Sequence, residues 1–251
     1  MNKYSKIGLF DSGLGGLSVL SEIMKLLPNE DYLFYEDSIN NPYGVRTEED
    51  LFNITSRIVE SLLNQDCKII VIACNTATTS CMTKLKEKYK DTLFVGTVPA
   101  IKVAYDHGSK NTIVLSTPYT TKSKRVQELI HDYKREDQVL TNISGGNLAN
   151  LIELGKREEY MSLLHELLDS HKDADAIVLG CTHYSIIKDD IKEVLPNTEL
   201  LDGCKGIANE VKRLLSVNNL LNPKEDKGSL EIINTKSKEL ERLSLDILKK
   251  L

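Results

Sequence analysis

The chain has 251 residues, 41% of them apolar, and a net charge of −5. That length suits one large domain or two small ones around a sizeable core. No stretch approaches the ~18 consecutive apolar residues of a membrane span, the N-terminus lacks a secretion signal's charged-then-apolar pattern, and the scattered Lys and Arg argue against a dedicated nucleic-acid surface.

Along the chain, short apolar runs recur: IGLF (7–10), YLFY (32–35), IIVIA (69–73), LFVG (93–96), TIVLS (112–116), AIVLG (176–180) and LEII (230–233). Each is followed by polar or small residues. Fully apolar runs of this length suit strands buried on both faces, as in parallel sheets. Between them lie stretches with helical spacing, such as Leu17, Leu20, Ile23 and Met24, then Leu51, Ile54, Ile58 and Leu62. This alternation predicts an α/β fold. The loop at 222–228 reads as solvated. The tail predicts a strand and a terminal helix with Leu240, Leu243, Ile247 and Leu248 as its core-facing stripe.

The glycine-rich stretch after the first run reads Gly13-x-Gly15-Gly16-x-Ser18. A dinucleotide fingerprint wants Gly or Ala at the last position, and a Walker loop wants Gly-Lys-Ser or Gly-Lys-Thr. Neither fits, and Asp11 adds negative charge just where a pyrophosphate would lie. The glycines still suit close backbone approach and a helix start that favours a carboxylate.

The five cysteines are Cys67, Cys74, Cys81, Cys181 and Cys204. None makes a Cys-x-x-Cys pair, and the spacing of the first three is not that of a zinc site. Without a secretion signal they read as reduced thiols of a cytoplasmic protein. Two stand out, because IVIACNT (70–76) and IVLGCTH (177–183) share one design: apolar strand, small residue, Cys, polar side chains. A weaker echo pairs IGLFDSG (7–13) with IVLSTPY (113–119). Two similar α/β halves are the simplest reading, with ligands bound beyond the carboxyl ends of strands. A covalent hydrolase would explain one cysteine. Two equivalent thiols suit proton removal from one face of a carbon and delivery to the other, against the plain alternative of buried structural cysteines.

IGLFDSGLGGLSVL, DSINNPYG, ACNTATT and GCTHYS, in this order and spacing, resemble the glutamate racemases of the aspartate/glutamate racemase superfamily. Weaker correspondences run through VPAIKVA, TPYTTKS, LIELG and LLDGCKGIA, so the resemblance covers nearly the whole chain. It implies a cofactor-independent, metal-free racemase interconverting L- and D-glutamate. It also implies two α/β domains related by pseudo-two-fold symmetry, with mainly parallel sheets and the active site in the cleft between them. One domain would be residues 1–97 plus 210–251, the other 98–209. A cytoplasmic homodimer supplying D-glutamate for peptidoglycan is implied as well, with no nucleic-acid or membrane partner. By matching position, Cys74 and Cys181 would be the acid–base pair, the first acting on D-glutamate and the second on L-glutamate. Asp11, His183 and Glu153 would assist the thiols. Ser12, Tyr43, Gly44, Asn75, Thr76, Thr120 and Thr182 would contact substrate. Asp37 also matches a family motif, although EDSINNPYG makes it equally a turn-forming residue.

Read alone, His183 is more often a satisfied core histidine, and Glu153 a solvated helix residue. The pattern also departs from the family. Glu36-Asp37-Ser38 stands where Gly-Asp-Thr or Gly-Asp-Ser is common, Gly145-Gly146 where Cys-Pro is usual, Asp202-Gly203 for Asp-Ser, and Val126 for a tyrosine. None of these touches the two cysteines. A racemase for aspartate or another amino acid, and a catalytically silent ligand-binding relative, are the competing functions; a decarboxylase of the superfamily would need only one cysteine.

Overall fold

The computed structural model describes residues 2–251, in which strands and helices alternate. In order they are β1 (Lys6–Asp11), α1 (Leu17–Leu26), β2 (Tyr32–Glu36), α2 (Glu48–Asn64), β3 (Cys67–Ile72), α3 (Asn75–Lys88) and β4 (Phe94–Gly96). Then come α4 (Ile101–His107), β5 (Asn111–Ser116), α5 (Pro118–Lys122), α6 (Lys124–Tyr133), β6 (Val139–Ser144), α7 (Leu148–Glu153), α8 (Arg157–Leu168), β7 (Ala176–Gly180), α9 (Lys188–Val194) and β8 (Glu199–Leu201). The chain closes with α10 (Cys204–Val217), β9 (Leu230–Asn234) and α11 (Lys238–Leu248). Contacts divide it into two compact units. One runs up to Thr97 and resumes with Cys204–Leu251, so that the whole of α10 belongs to it; the other is Val98–Gly203.

The first unit holds a five-stranded sheet in the order β4-β3-β1-β2-β9, with every neighbouring pair parallel. The second holds a four-stranded sheet in the order β6-β5-β7-β8, again all parallel. Each apolar run picked out in the sequence lies in a strand to within a residue, and the α/β class is the one observed. β1, β3, β5 and β7 are almost wholly buried, which is why they read as unbroken apolar runs. Two strands escaped the sequence reading. β6 is a half-exposed edge strand, VLTNIS, so polar residues interrupt it. β8 has only three residues.

The two sheets share one topology. In the first, the chain steps from β1 to β2 on one side and returns to β3 on the other. In the second, β5 leads to β6 and then to β7 in the same way. Each sheet therefore has its switch point between two central strands: β1 and β3 in one, β5 and β7 in the other. The crevice outside the carboxyl ends of such a strand pair is where α/β sheets bind ligands. The paired sequence echoes are these strands, β1 with β5 and β3 with β7.

The first sheet buries charged side chains as well, among them a lysine. Lys68 in β3 is 1% exposed. Its ammonium donates to Glu30 at 2.5 Å and to the carbonyls of Lys3 and Leu220. The other Glu30 oxygen accepts from the Asn222 amide. A buried ion pair is tolerated when its remaining hydrogen-bonding capacity is filled in this way.

The tail differs from expectation. α11 forms, but Leu243 is 44% exposed and Leu240, Ile247 and Leu248 are only half-buried. Its fully buried residue is Ser244. The loop at 222–228 is partly solvated yet tied down, by a Lys224–Asp31 ion pair and by the Gly228 amide donating to the Pro28 carbonyl.

Candidate active site

In the first unit the predicted side chains gather at the switch point between β1 and β3. β1 ends at Asp11, which is fully buried, and Ser12 follows it. β3 ends at Ile72, and Cys74 then caps the amino end of α3. The Cys74 thiol lies 3.9 Å from the Ser12 hydroxyl. Asn75 and Thr76 open α3, whose first turn directs backbone amides, the positive end of the helix dipole, to this place. Asn75 is buried, and among the described residues its Oδ1 accepts no hydrogen bond. Such an atom suits a ligand donor. The glycine loop serves close packing. A Cβ on Gly16 would come within 2.7 Å of the Asp11 side chain and 2.8 Å of the Phe34 ring.

Tyr43 begins the short helical turn Tyr43–Val45, with Gly44 half-buried beside it. Its hydroxyl donates to Asp37 Oδ2 at 2.6 Å. Burial, then the charge of Asp37 and the nearby Cys74 and Asp11, push the phenol far above its ordinary pKa, so it stays protonated. Asp37 sits in the turn expected of it. It accepts from Asn40 within its own turn and from Tyr43, while burial pushes its carboxyl upward against these bonds.

In the second unit the switch point between β5 and β7 holds the other group. β7 ends at Gly180, and Cys181 caps a helical turn, Thr182–Ser185, that carries Thr182 and His183. His183 Nδ1 lies 3.8 Å from the Cys181 sulfur, and Nε2 lies 2.6 Å from Glu153 Oε2 at the end of α7. The side chains of His183 and Glu153 are 3% and 11% exposed. Burial opposes the imidazolium, yet Cys181 and Glu153 outweigh it and hold His183 well above the ordinary 6.5. Glu153 is thus packed against His183 rather than solvated. At the end of β5, Thr120 is fully buried and receives a hydrogen bond from Thr117, a residue the sequence reading passed over.

All five cysteines are buried and free of disulfides. Burial pushes the Cys67 thiol up to about 12 and raises that of Cys81, in keeping with small core hydrophobes. Cys204 faces Ser18 at 3.7 Å. Only Cys74 and Cys181 stand at sheet switch points. No cluster of potential ligands able to hold a metal ion occurs among the described residues.

The family model for Asp/Glu/hydantoin racemases matches residues 24–211. The glutamate racemase of Clostridium botulinum is 40% identical over 243 residues, 94% of each chain. The chain belongs to the Asp/Glu/hydantoin racemase family. Among solved members, the Francisella tularensis glutamate racemase in complex with D-glutamate superposes with a TM-score of 0.83 at 26% identity, covering 98% of this chain and 94% of that one. The Escherichia coli glutamate racemase, in complex with L-glutamate and the activator UDP-MurNAc-Ala, gives 0.82 at 28% identity, covering 98% and 95%. This racemase-family chain shares their fold over nearly its full length, and no helix among its described residues is long and apolar enough to cross a membrane.

Proposed function

We propose that the chain is a glutamate racemase that moves one proton across the α-carbon, with Cys74 and Cys181 as the two acid–base residues and no cofactor. The observation that carries this reading is the repeated construction. Each sheet ends its switch point in a cysteine at a helical amino end, next to a group that manages charge. Complexes of relatives with D-glutamate and with L-glutamate support the choice of substrate.

For L-glutamate, the Cys181 thiolate takes the α-proton. The C–H electron pair passes into the substrate carboxylate as enolate-like charge. The Cys74 thiol then delivers its proton to the opposite face, leaving Cys74 as thiolate and Cys181 as thiol. D-Glutamate follows the reverse course. His183, held cationic by Glu153, balances the anion at Cys181. Asp11, fully buried at the end of β1, disfavours the Cys74 anion by like charge. A turnover of about 10 per second corresponds to a barrier of about 16 kcal/mol. The enolate charge must therefore be met by fixed donors, which Ser12, Asn75, Thr76 and Thr182 supply. Tyr43, Gly44 and Thr120 complete the substrate contacts. The enzyme acts as a homodimer in the cytoplasm and supplies D-glutamate for peptidoglycan.

Polarimetry of the purified chain with each enantiomer of glutamate and of aspartate tests the reading. Both glutamate enantiomers drift to the racemate if it is right. Turnover of aspartate alone replaces the substrate and keeps the chemistry. No turnover of any amino acid leaves a silent binder.

A further inference from the structure

The terminal helix has an odd docking surface. Ser244, rather than a leucine, is its buried residue, and Ser244 donates to Glu36 Oε1 at 2.6 Å. Glu36 is fully buried at the end of β2. Its other oxygen accepts from Asn234 Nδ2 at 2.9 Å, and that same amide reaches the Ser38 hydroxyl at 2.9 Å. Asn234 Oδ1 in turn accepts from the amides of Lys236 and Ser237, where α11 starts. Thr235 closes the arrangement. Its amide donates to the Glu36 carbonyl, its hydroxyl accepts from the Ile39 amide at 3.0 Å, and it donates to Asp37 Oδ1 at 3.4 Å. Every residue from 36 to 39 is therefore held by a segment some 200 positions further along the chain.

That grip bears on the site because Asp37 passes it to Tyr43 at 2.6 Å. We propose that the β9–α11 segment sets the working geometry of the Asp37–Tyr43 turn, making Thr235, Asn234, Ser244 and Glu36 positioning residues for Tyr43. The inference rests on Tyr43 being a substrate contact. A buried carboxylate must keep its donors, so α11 cannot slide or lift without taking the Ser244 hydroxyl from Glu36. An apolar contact would be far more forgiving of register. The Tyr43 proton is committed to Asp37, which leaves its oxygen as an acceptor, suited to a substrate ammonium.

The test compares the wild-type chain with Thr235→Val, Thr235→Ser and Ser244→Ala. Readouts are kcat and KM for both enantiomers, the Kd of D-glutamate by calorimetry, and the melting temperature. Thr235→Val loses the hydroxyl's bonds to Asp37 and Ile39 and is expected to raise KM and Kd roughly 5-fold, with kcat nearly unchanged. Thr235→Ser, which keeps the hydroxyl, restores both constants. Ser244→Ala raises them in the same sense. If the valine and alanine variants bind and turn over glutamate like an active wild type, the inference is wrong and the assigned function stands. If the serine variant fails to rescue, the effect is packing and the inference is likewise overturned. A wild-type chain that neither binds nor turns over glutamate overturns the assigned function, and this inference with it.

Discussion

Glu153→Gln removes one charge and almost no volume from the Cys181 group. The hydrogen bond of 2.6 Å from the imidazolium keeps an amide oxygen as acceptor and loses its carboxylate charge. With 11% of the Glu153 side chain and 3% of that of His183 exposed, solvent screens it little. The loss is capped by the whole worth of a hydrogen bond to a charged group, about 1.5–3 kcal/mol, which converts to a ceiling of roughly 10- to 150-fold in rate. The loss depends on pH. At low pH both proteins carry the cation and their rates are similar. As pH rises the variant loses its proton first, and the gap opens to the full factor before wild type follows. The alkaline limb of the kcat/KM profile thus moves to lower pH. L- and D-glutamate have equal free energy, so kcat/KM must fall by the same factor in both directions, an internal check on the data. Circular dichroism on each enantiomer from pH 5 to 10 supplies the profiles. An alkaline limb that stays in place, with an even loss at every pH, would refute the charge account of His183.

The same pair predicts a stability signature. The folded-state pKa of His183 is raised, so its contribution is fully present below the ordinary 6.5 and fades as pH rises through the folded value. The melting temperature of wild type should exceed that of Glu153→Gln most just below 6.5 and least in strong base; a constant difference would contradict this. Lys68→Met leaves the Glu30 carboxylate buried without its partner and should cost about 3–5 kcal/mol, read as a drop of roughly 6–20 °C in melting temperature. Adding Glu30→Gln should recover much of that loss, and if it does not, the pair is not what holds the segment. A Cβ on Gly145 would run into the Tyr184 hydroxyl, so Gly145→Ala should destabilise by about 1–3 kcal/mol. That hydroxyl is buried and, among the described residues, makes no hydrogen bond. Tyr184→Phe should therefore be neutral or stabilising alone and should relieve Gly145→Ala, as chemical denaturation of the four proteins would show.

What the sequence makes visible follows from burial. Strands covered on both faces become unbroken apolar runs, so β1, β3, β5 and β7 announce themselves, and so do the cysteines at the ends of β3 and β7. β6 stays hidden because an exposed edge admits Thr, Asn and Ser. The terminal helix misleads for the opposite reason. Its leucine stripe is real, but the deepest contact is a serine satisfying a buried glutamate, and periodicity counts only apolar residues. Glu153 reads as a surface charge until the chain folds, because its partner His183 lies thirty residues later. Thr235 carries no local signal either. It acts by holding the Asp37 side chain, and that relation exists only in three dimensions.

The central claim is that two thiols, one at each sheet's switch point, share a single proton transfer. NMR of the α-proton in D₂O, on L- and D-glutamate separately, with wild type, Cys74→Ala and Cys181→Ala, tests it most directly. Wild type should lose the signal from both enantiomers while converting each into the other, and neither alanine variant should racemise. Racemisation at the wild-type rate by either alanine variant would contradict the claim.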